Sequence, residues 1–84
     1  MNAGDVLADC NRRTAIVVRL GRKLTHLVPL EEGELVLRSL SPAEIASRGF
    51  RPIDYPLKKA VRKYLKHSGG VSPKARTALR ALVR

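Results

Sequence analysis

The period of the hydrophobic positions changes near residue 41. Ahead of that point lie three short segments with the β-branched and apolar composition of strands, separated by turn residues. These are residues 14–20 (TAIVVRL), residues 24–28 (LTHLV) and residues 34–40 (ELVLRSL). Residues 5–10 fit either a fourth short strand or one helical turn, of which the strand is preferred. The first forty residues therefore predict a small antiparallel sheet.

Gly21 and Arg22 form a Gly-X pair of the kind that a two-residue hairpin loop accepts. A loop at this position sets the register, so that Val18 faces Thr25 and Ile16 faces Leu27. The predicted core face of the hairpin then carries Ile16, Val18, Leu20 and Leu27, and the opposite face carries Val17, Arg19, Leu24, His26 and Val28. The opposite face is only half polar, which predicts that it is also partly covered.

From Ser41 onward the chain carries helix signals. Ser41 and Glu44 have the spacing of a capping box, and Gly49 is placed to end the short helix that begins there. An extended link with two prolines follows, and then an apolar stripe at spacings of three and four predicts a helix over 56–68. Ser72 and Pro73 start another helix after a Gly-Gly break.

These elements predict an α+β fold, with a small N-terminal antiparallel sheet or SH3-like barrel followed by two or three C-terminal helices. At 84 residues the chain is long enough for one domain, 1–84, with a β-rich half over 1–40 and a basic helical half over 41–84.

Charge is unevenly distributed between the two halves. The whole chain has 17 Lys and Arg against 7 Asp and Glu, net +10; residues 1–40 hold six basic and five acidic side chains, whereas residues 41–84 hold eleven and two. From residue 56 to the end there are nine basic residues and no acidic one. These nine are the candidate binding residues: Lys58, Lys59, Arg62, Lys63, Lys66, Lys74, Arg76, Arg80 and Arg84.

A helix pair without acidic residues lacks the i,i+4 pairs that normally support an exposed helix, which favours an anionic partner. Phosphate contacts are expected to dominate over base contacts. The three aromatic residues, Phe50, Tyr55 and Tyr64, lie at the link or on an apolar stripe, so core packing accounts for them better than base stacking.

Other classes of function find little support. His26 and His67 lack a partnering carboxylate or cysteine at a catalytic spacing, and Cys10 stands alone, so no catalytic residue, metal site or cofactor is predicted. No small-molecule substrate is expected either. The chain contains no apolar stretch long enough to span a membrane and no signal-peptide pattern, so the expectation is a cytoplasmic protein.

The segment over 4–21, with Gly-Asp-Val-Leu and then Thr-Ala-Ile-Val-Val-Arg-Leu-Gly, resembles the opening of small SH3-like barrels of the KOW type, found in transcription and translation factors. The resemblance implies attachment to RNA polymerase, ribosomal RNA or a similar machine. Compact basic proteins of this size are also typical of bacteriophage accessory factors.

Three hypotheses follow. The first is a non-enzymatic, nucleic-acid-associated regulatory module that uses the nine basic residues for phosphate contacts. The second is a protein-protein inhibitor or adaptor that covers an acidic surface of a nucleic-acid-bound complex, with Leu24, Val28 and Phe50 as candidate anchors. The third is a ribosome-like structural component whose basic helices order only on RNA.

Overall fold

Five strands form one antiparallel sheet, and three helices accompany it in a computed structural model that describes residues 1–84. The elements, in chain order, are β1 (Val6–Ala8), β2 (Thr14–Leu20), β3 (Thr25–Pro29), β4 (Arg38–Leu40), α1 (Pro42–Ser47), β5 (Arg51–Ile53), α2 (Leu57–Leu65) and α3 (Pro73–Leu82). The predicted α+β class is confirmed, but the order departs from the prediction, because β5 follows α1 within the half predicted to be helical.

The strand order across the sheet is β4-β3-β2-β1-β5, so β4 and β5 are its two edges. These edges do not pair with each other, so the sheet is open. The SH3-like barrel, one of the two predicted forms, is therefore not confirmed. The sequence pattern did not predict β5, because its central residue is Pro52. Proline is tolerated there because an edge strand has one side without a hydrogen-bonding neighbour.

The sheet has a hydrophobic core on each face. On one face Ile16 and Val28 pack with residues of α2 and α3, and on the other Val17 and Leu27 pack with Ile45 of α1. Both faces are therefore covered by helices, which explains why β2 reads as a continuous apolar run instead of a clean alternation.

The predicted hairpin register was wrong, since Leu27 pairs with Val17 and Ile16 pairs with Val28. The loop lies one residue later than predicted, because the Gly21 N–H donates to the Leu24 carbonyl. A loop one residue later shifts the pairing by two positions, and a β-bulge at Val18 shifts it back by one. The net one-residue change places Leu27 on the face of Val17 and Val28 on the face of Ile16.

Helix boundaries follow the predicted capping residues closely. Ser41 and Glu44 form the reciprocal capping box at α1, and the backbone hydrogen bond from Ser41 lowers the pKa of the Glu44 carboxyl. Gly49 has a positive φ of 76° just past the helix, as predicted. α2 ends at Leu65, earlier than the predicted residue 68.

The segment between β3 and β4 is joined to the turn between α2 and α3. The strand predicted over 34–40 is present only as β4, and Leu35, which lies before β4, pairs in parallel with Val71. The Leu35 N–H donates to the Gly70 carbonyl and the Ser72 N–H donates to the Leu35 carbonyl, at 3.0 and 2.8 Å. These bonds fix the helix pair to the sheet.

Tyr64 of α2 is 2% exposed, and its hydroxyl lies 2.7 Å from the Thr14 hydroxyl of β2. Burial raises the pKa of Tyr64 to about 12, an effect that the hydrogen bond with Thr14 partly opposes. The unfolded tyrosine ionises near pH 10. The stability that the buried neutral phenol contributes is therefore complete below pH 10 and is lost between pH 10 and about 12.

We expect Tyr64→Phe to be less stable than the parent at pH 8 by about 1 kcal/mol, the usual contribution of one hydrogen bond. At pH 12 the order should reverse, because about 2 to 3 kcal/mol of pH-dependent loss is absent from the variant. Urea unfolding of both proteins at pH 8, 10 and 12 measures the difference. Parallel pH profiles would show that Tyr64 does not contribute to alkaline destabilisation.

Candidate nucleic-acid interface

All nine candidate basic side chains are exposed. Four lie within α2 and Lys66 caps its C-terminus, while three lie on α3 and Arg84 follows that helix. The two helices contact each other and pack on the same face of the sheet, so the structure brings both basic segments to one side of the molecule.

α2 separates its apolar and basic residues because the apolar side chains recur at helical spacing. Ala60, Val61 and Tyr64 are buried against the sheet. Lys58 and Arg62, at i and i+4 and outside this buried stripe, are turned to solvent. Packing of the apolar stripe therefore fixes which way the basic face points.

α3 is built in the same way. The Ser72 hydroxyl accepts a hydrogen bond from the Ala75 N–H at its start, and Ala75 and Leu79 are fully buried. Arg76 and Arg80, one turn apart, lie on a flank of the helix outside this buried stripe.

None of the nine basic groups forms an ion pair within the protein. The one salt bridge joins Arg38 to Glu31, at 3.2 Å, in the β-rich part of the chain. The Lys59 ammonium lies 5.9 Å from the centre of the Tyr55 ring, close enough for a weak cation-π contact. No ion pair within the protein therefore neutralises the positive charge of the helix pair.

Three of the basic residues occupy positions that oppose the helix dipole. Lys58 and Lys59 lie in the first turn of α2, Lys74 lies in the first turn of α3, and neither first turn contains an acidic residue. A positive charge near a helix N-terminus is unfavourable, at about 0.3 to 1 kcal/mol for an exposed site. Residues that reduce the stability of the free protein in this way are typical of functional surfaces.

Lys63 differs from the other candidates because it has acidic neighbours. It lines a cleft with Glu31, Glu32 and His67, beside the turn that follows α2. Arg13, in the loop before β2, lines the same cleft. Arg13 lies 50 positions from Lys63, in the N-terminal half of the chain, which is nearly neutral. The sequence therefore did not identify Arg13 as a neighbour of Lys63.

The aromatic residues belong to the core, as predicted. Tyr64 is buried, and Tyr55 and Phe50 are partly buried and pack against the two core clusters. Of the three anchors suggested for a protein partner, Val28 is fully buried and is therefore excluded. Leu24 remains accessible, at 41% exposed.

No protein-family model, curated protein or solved structure matches this chain. None of its helices is both long and apolar enough to cross a membrane. No group of three or more His, Cys, Asp or Glu side chains is arranged to hold a metal ion.

Proposed function

We propose that this protein is a nucleic-acid-associated binding module whose α2 and α3 contact the phosphate backbone. The observation that supports this proposal is the set of nine exposed basic side chains without an ion-paired partner on two adjoining helices. An anionic polymer would relieve the repulsion among these charges and would release its own condensed counterions on binding.

Duplex nucleic acid fits this surface better than a single strand does. Single-strand binding surfaces use exposed aromatic side chains as stacking platforms, and here Phe50, Tyr55 and Tyr64 pack into the core. α2 and α3 also contain no Asn or Gln, the residues that read adenine in the major groove. Binding with little dependence on base sequence follows from both features.

The resemblance of residues 4–21 to KOW-type barrels supports a wider setting for this activity. It suggests that the module works at a transcription or translation machine, where α2 and α3 would contact the nucleic acid of that machine. RNA polymerase and ribosomal RNA are the partners that this resemblance favours.

A salt series tests the proposal directly. We expect fluorescence anisotropy to show binding to duplexes of unrelated sequence, with log K falling against log salt concentration at a slope of about −4.5 for five phosphate contacts. Single strands of equal length should bind more weakly. Absence of duplex binding at about 50 mM salt would contradict the proposal and favour an acidic protein surface as the partner.

A further inference from the structure

A trough with an apolar floor lies between α3 and residues of β2, β3 and the segment before β4. Its floor is formed by Val18 and Leu37 from the sheet side and by Ala78, Ala81 and Leu82 from the helix. The depression holds about 500 Å³ and continues along the helix toward Pro73, through a second depression that shares Leu37, Ala78 and Ala81. The two together form the α3 trough.

The shape of the α3 trough suits a helix. α3 is ten residues long, so the trough follows it for about 15 Å, or nearly three helical turns. Ala78 and Ala81 form part of its floor, and alanine side chains are small enough to let another helix approach closely. Val18 and Leu37 are only partly buried, so their apolar surface is available to a partner.

The charged residues around the α3 trough are all basic. Arg19 lies at the end near the C-terminus of α3, with His26 beside it, and Lys74 lies at the other end. No acidic side chain lines either depression. A second copy of this chain, itself at +10, would be repelled by this rim, whereas a segment with acidic flanks would be attracted.

We propose that the α3 trough binds an acidic amphipathic helix of a partner protein. Apolar side chains at spacings of three and four would lie on Leu37, Ala78 and Ala81, and the flanking carboxylates of the partner would face Arg19 and Lys74. The Arg76 and Arg80 side chains project from the flank of α3 opposite to the trough, by the 100° turn per residue of a helix. The two surfaces therefore share only Lys74, and this inference does not depend on nucleic-acid binding.

A designed peptide pair tests the trough. The first is a blocked peptide of about 14 residues with leucine at helical spacing and glutamate elsewhere, long enough to span about 15 Å as a helix. The second has the same composition in scrambled order. At about 150 mM salt, where exposed charges are screened beyond about 8 Å, the patterned peptide should bind the parent protein at least about tenfold more tightly.

The location of binding is tested by NMR and by a matched pair of variants. With the patterned peptide, amide shifts should concentrate at Leu37, Ala78 and Ala81. Ala81→Gln, which places a longer polar side chain in the trough, should weaken binding about fivefold to tenfold, whereas Ala46→Gln on the exposed face of α1 should leave it unchanged.

Three outcomes would overturn the inference. They are equal binding of the two peptides, amide shifts confined to the basic residues of α2, and an affinity of the Ala81→Gln variant for the patterned peptide that equals that of the parent protein. The shift mapping uses the parent protein alone, so it decides the matter even if Ala81→Gln fails to fold. Loss of duplex binding in the salt series would leave these results unaffected, which separates this inference from the proposed function.

Discussion

Replacing Lys58 and Lys59 by glutamate is expected to weaken duplex binding by at least about thirtyfold at low salt, through the loss of phosphate contacts and the gain of local repulsion. Both side chains are exposed in the first turn of α2. The salt dependence should also become shallower, by about 0.9 in slope for each phosphate contact that is lost. Fluorescence anisotropy across the salt series measures both quantities.

The same double variant is expected to make the free protein more stable. Glutamate in the first turn interacts favourably with the helix dipole, at about 0.3 to 1 kcal/mol for each site. The new carboxylates would also lie four residues before Arg62 and Lys63, in the favourable orientation for pairs of about 0.2 to 0.5 kcal/mol each. These gains exceed the weak Lys59–Tyr55 contact, so the urea midpoint should rise while affinity falls.

Arg22→Glu with Lys23→Glu is the matched control, because it also replaces two adjacent basic residues by glutamate. Each of the two double variants lowers the net charge from +10 to +6. Both control residues are exposed at the tip of the β2–β3 hairpin. This variant should lose no more than about threefold in affinity, through the weaker long-range field. Equal losses in the two variants would mean that total charge, and not the α2 surface, determines binding.

Gly69→Ala is expected to destabilise the protein by about 3 to 5 kcal/mol, since backbone atoms would have to move and their hydrogen bonds would be weakened. A Cβ at residue 69 would lie 2.5 Å from the carbonyl carbon of Gly33 and closer still to its oxygen. That carbonyl also lies 2.8 Å from the Nε2 atom of His67, within hydrogen-bonding distance. A domain of this size has a total stability of only about 4 to 12 kcal/mol, so the loss would leave a large unfolded fraction.

Gly70→Ala provides the comparison at the next residue. Gly70 has a φ of +88° but open space around its would-be Cβ, so only the left-handed backbone disfavours alanine, at about 1 to 2 kcal/mol. Urea unfolding should therefore give Gly69→Ala a clearly lower free energy of unfolding than Gly70→Ala. The reverse order would show that the helix turn and the β3–β4 segment are not in close contact.

Helix starts could be predicted from the sequence because they depend on residues that are neighbours in the chain. Ser41 with Glu44, and Ser72 with Pro73, carry their capping signal within four positions, and the structure places the caps at those residues. The exposure of the nine basic residues was predictable for the same reason. An apolar stripe at helical spacing must turn toward the core, and it leaves the intervening lysines and arginines outside.

The pairing of distant segments could not be predicted in this way. The register of the hairpin depends on the bulge at Val18, and no turn residue in the sequence marks that bulge. Leu35 has the apolar character of a strand residue, but it pairs with Val71 instead of continuing β4. Such pairings are decided by which segments meet after the helices have packed.

The sequence by itself determined the α+β class, the capped helix starts and an acid-free basic helix pair, because each is encoded in local spacing and composition. Only the tertiary structure decided that both faces of the sheet are covered, that Arg13 and Lys63 share a cleft, and that an apolar trough with a basic rim lies beside α3. The physical reason is that these features join residues far apart in the chain, and side-chain packing selects their contacts only when the chain is folded.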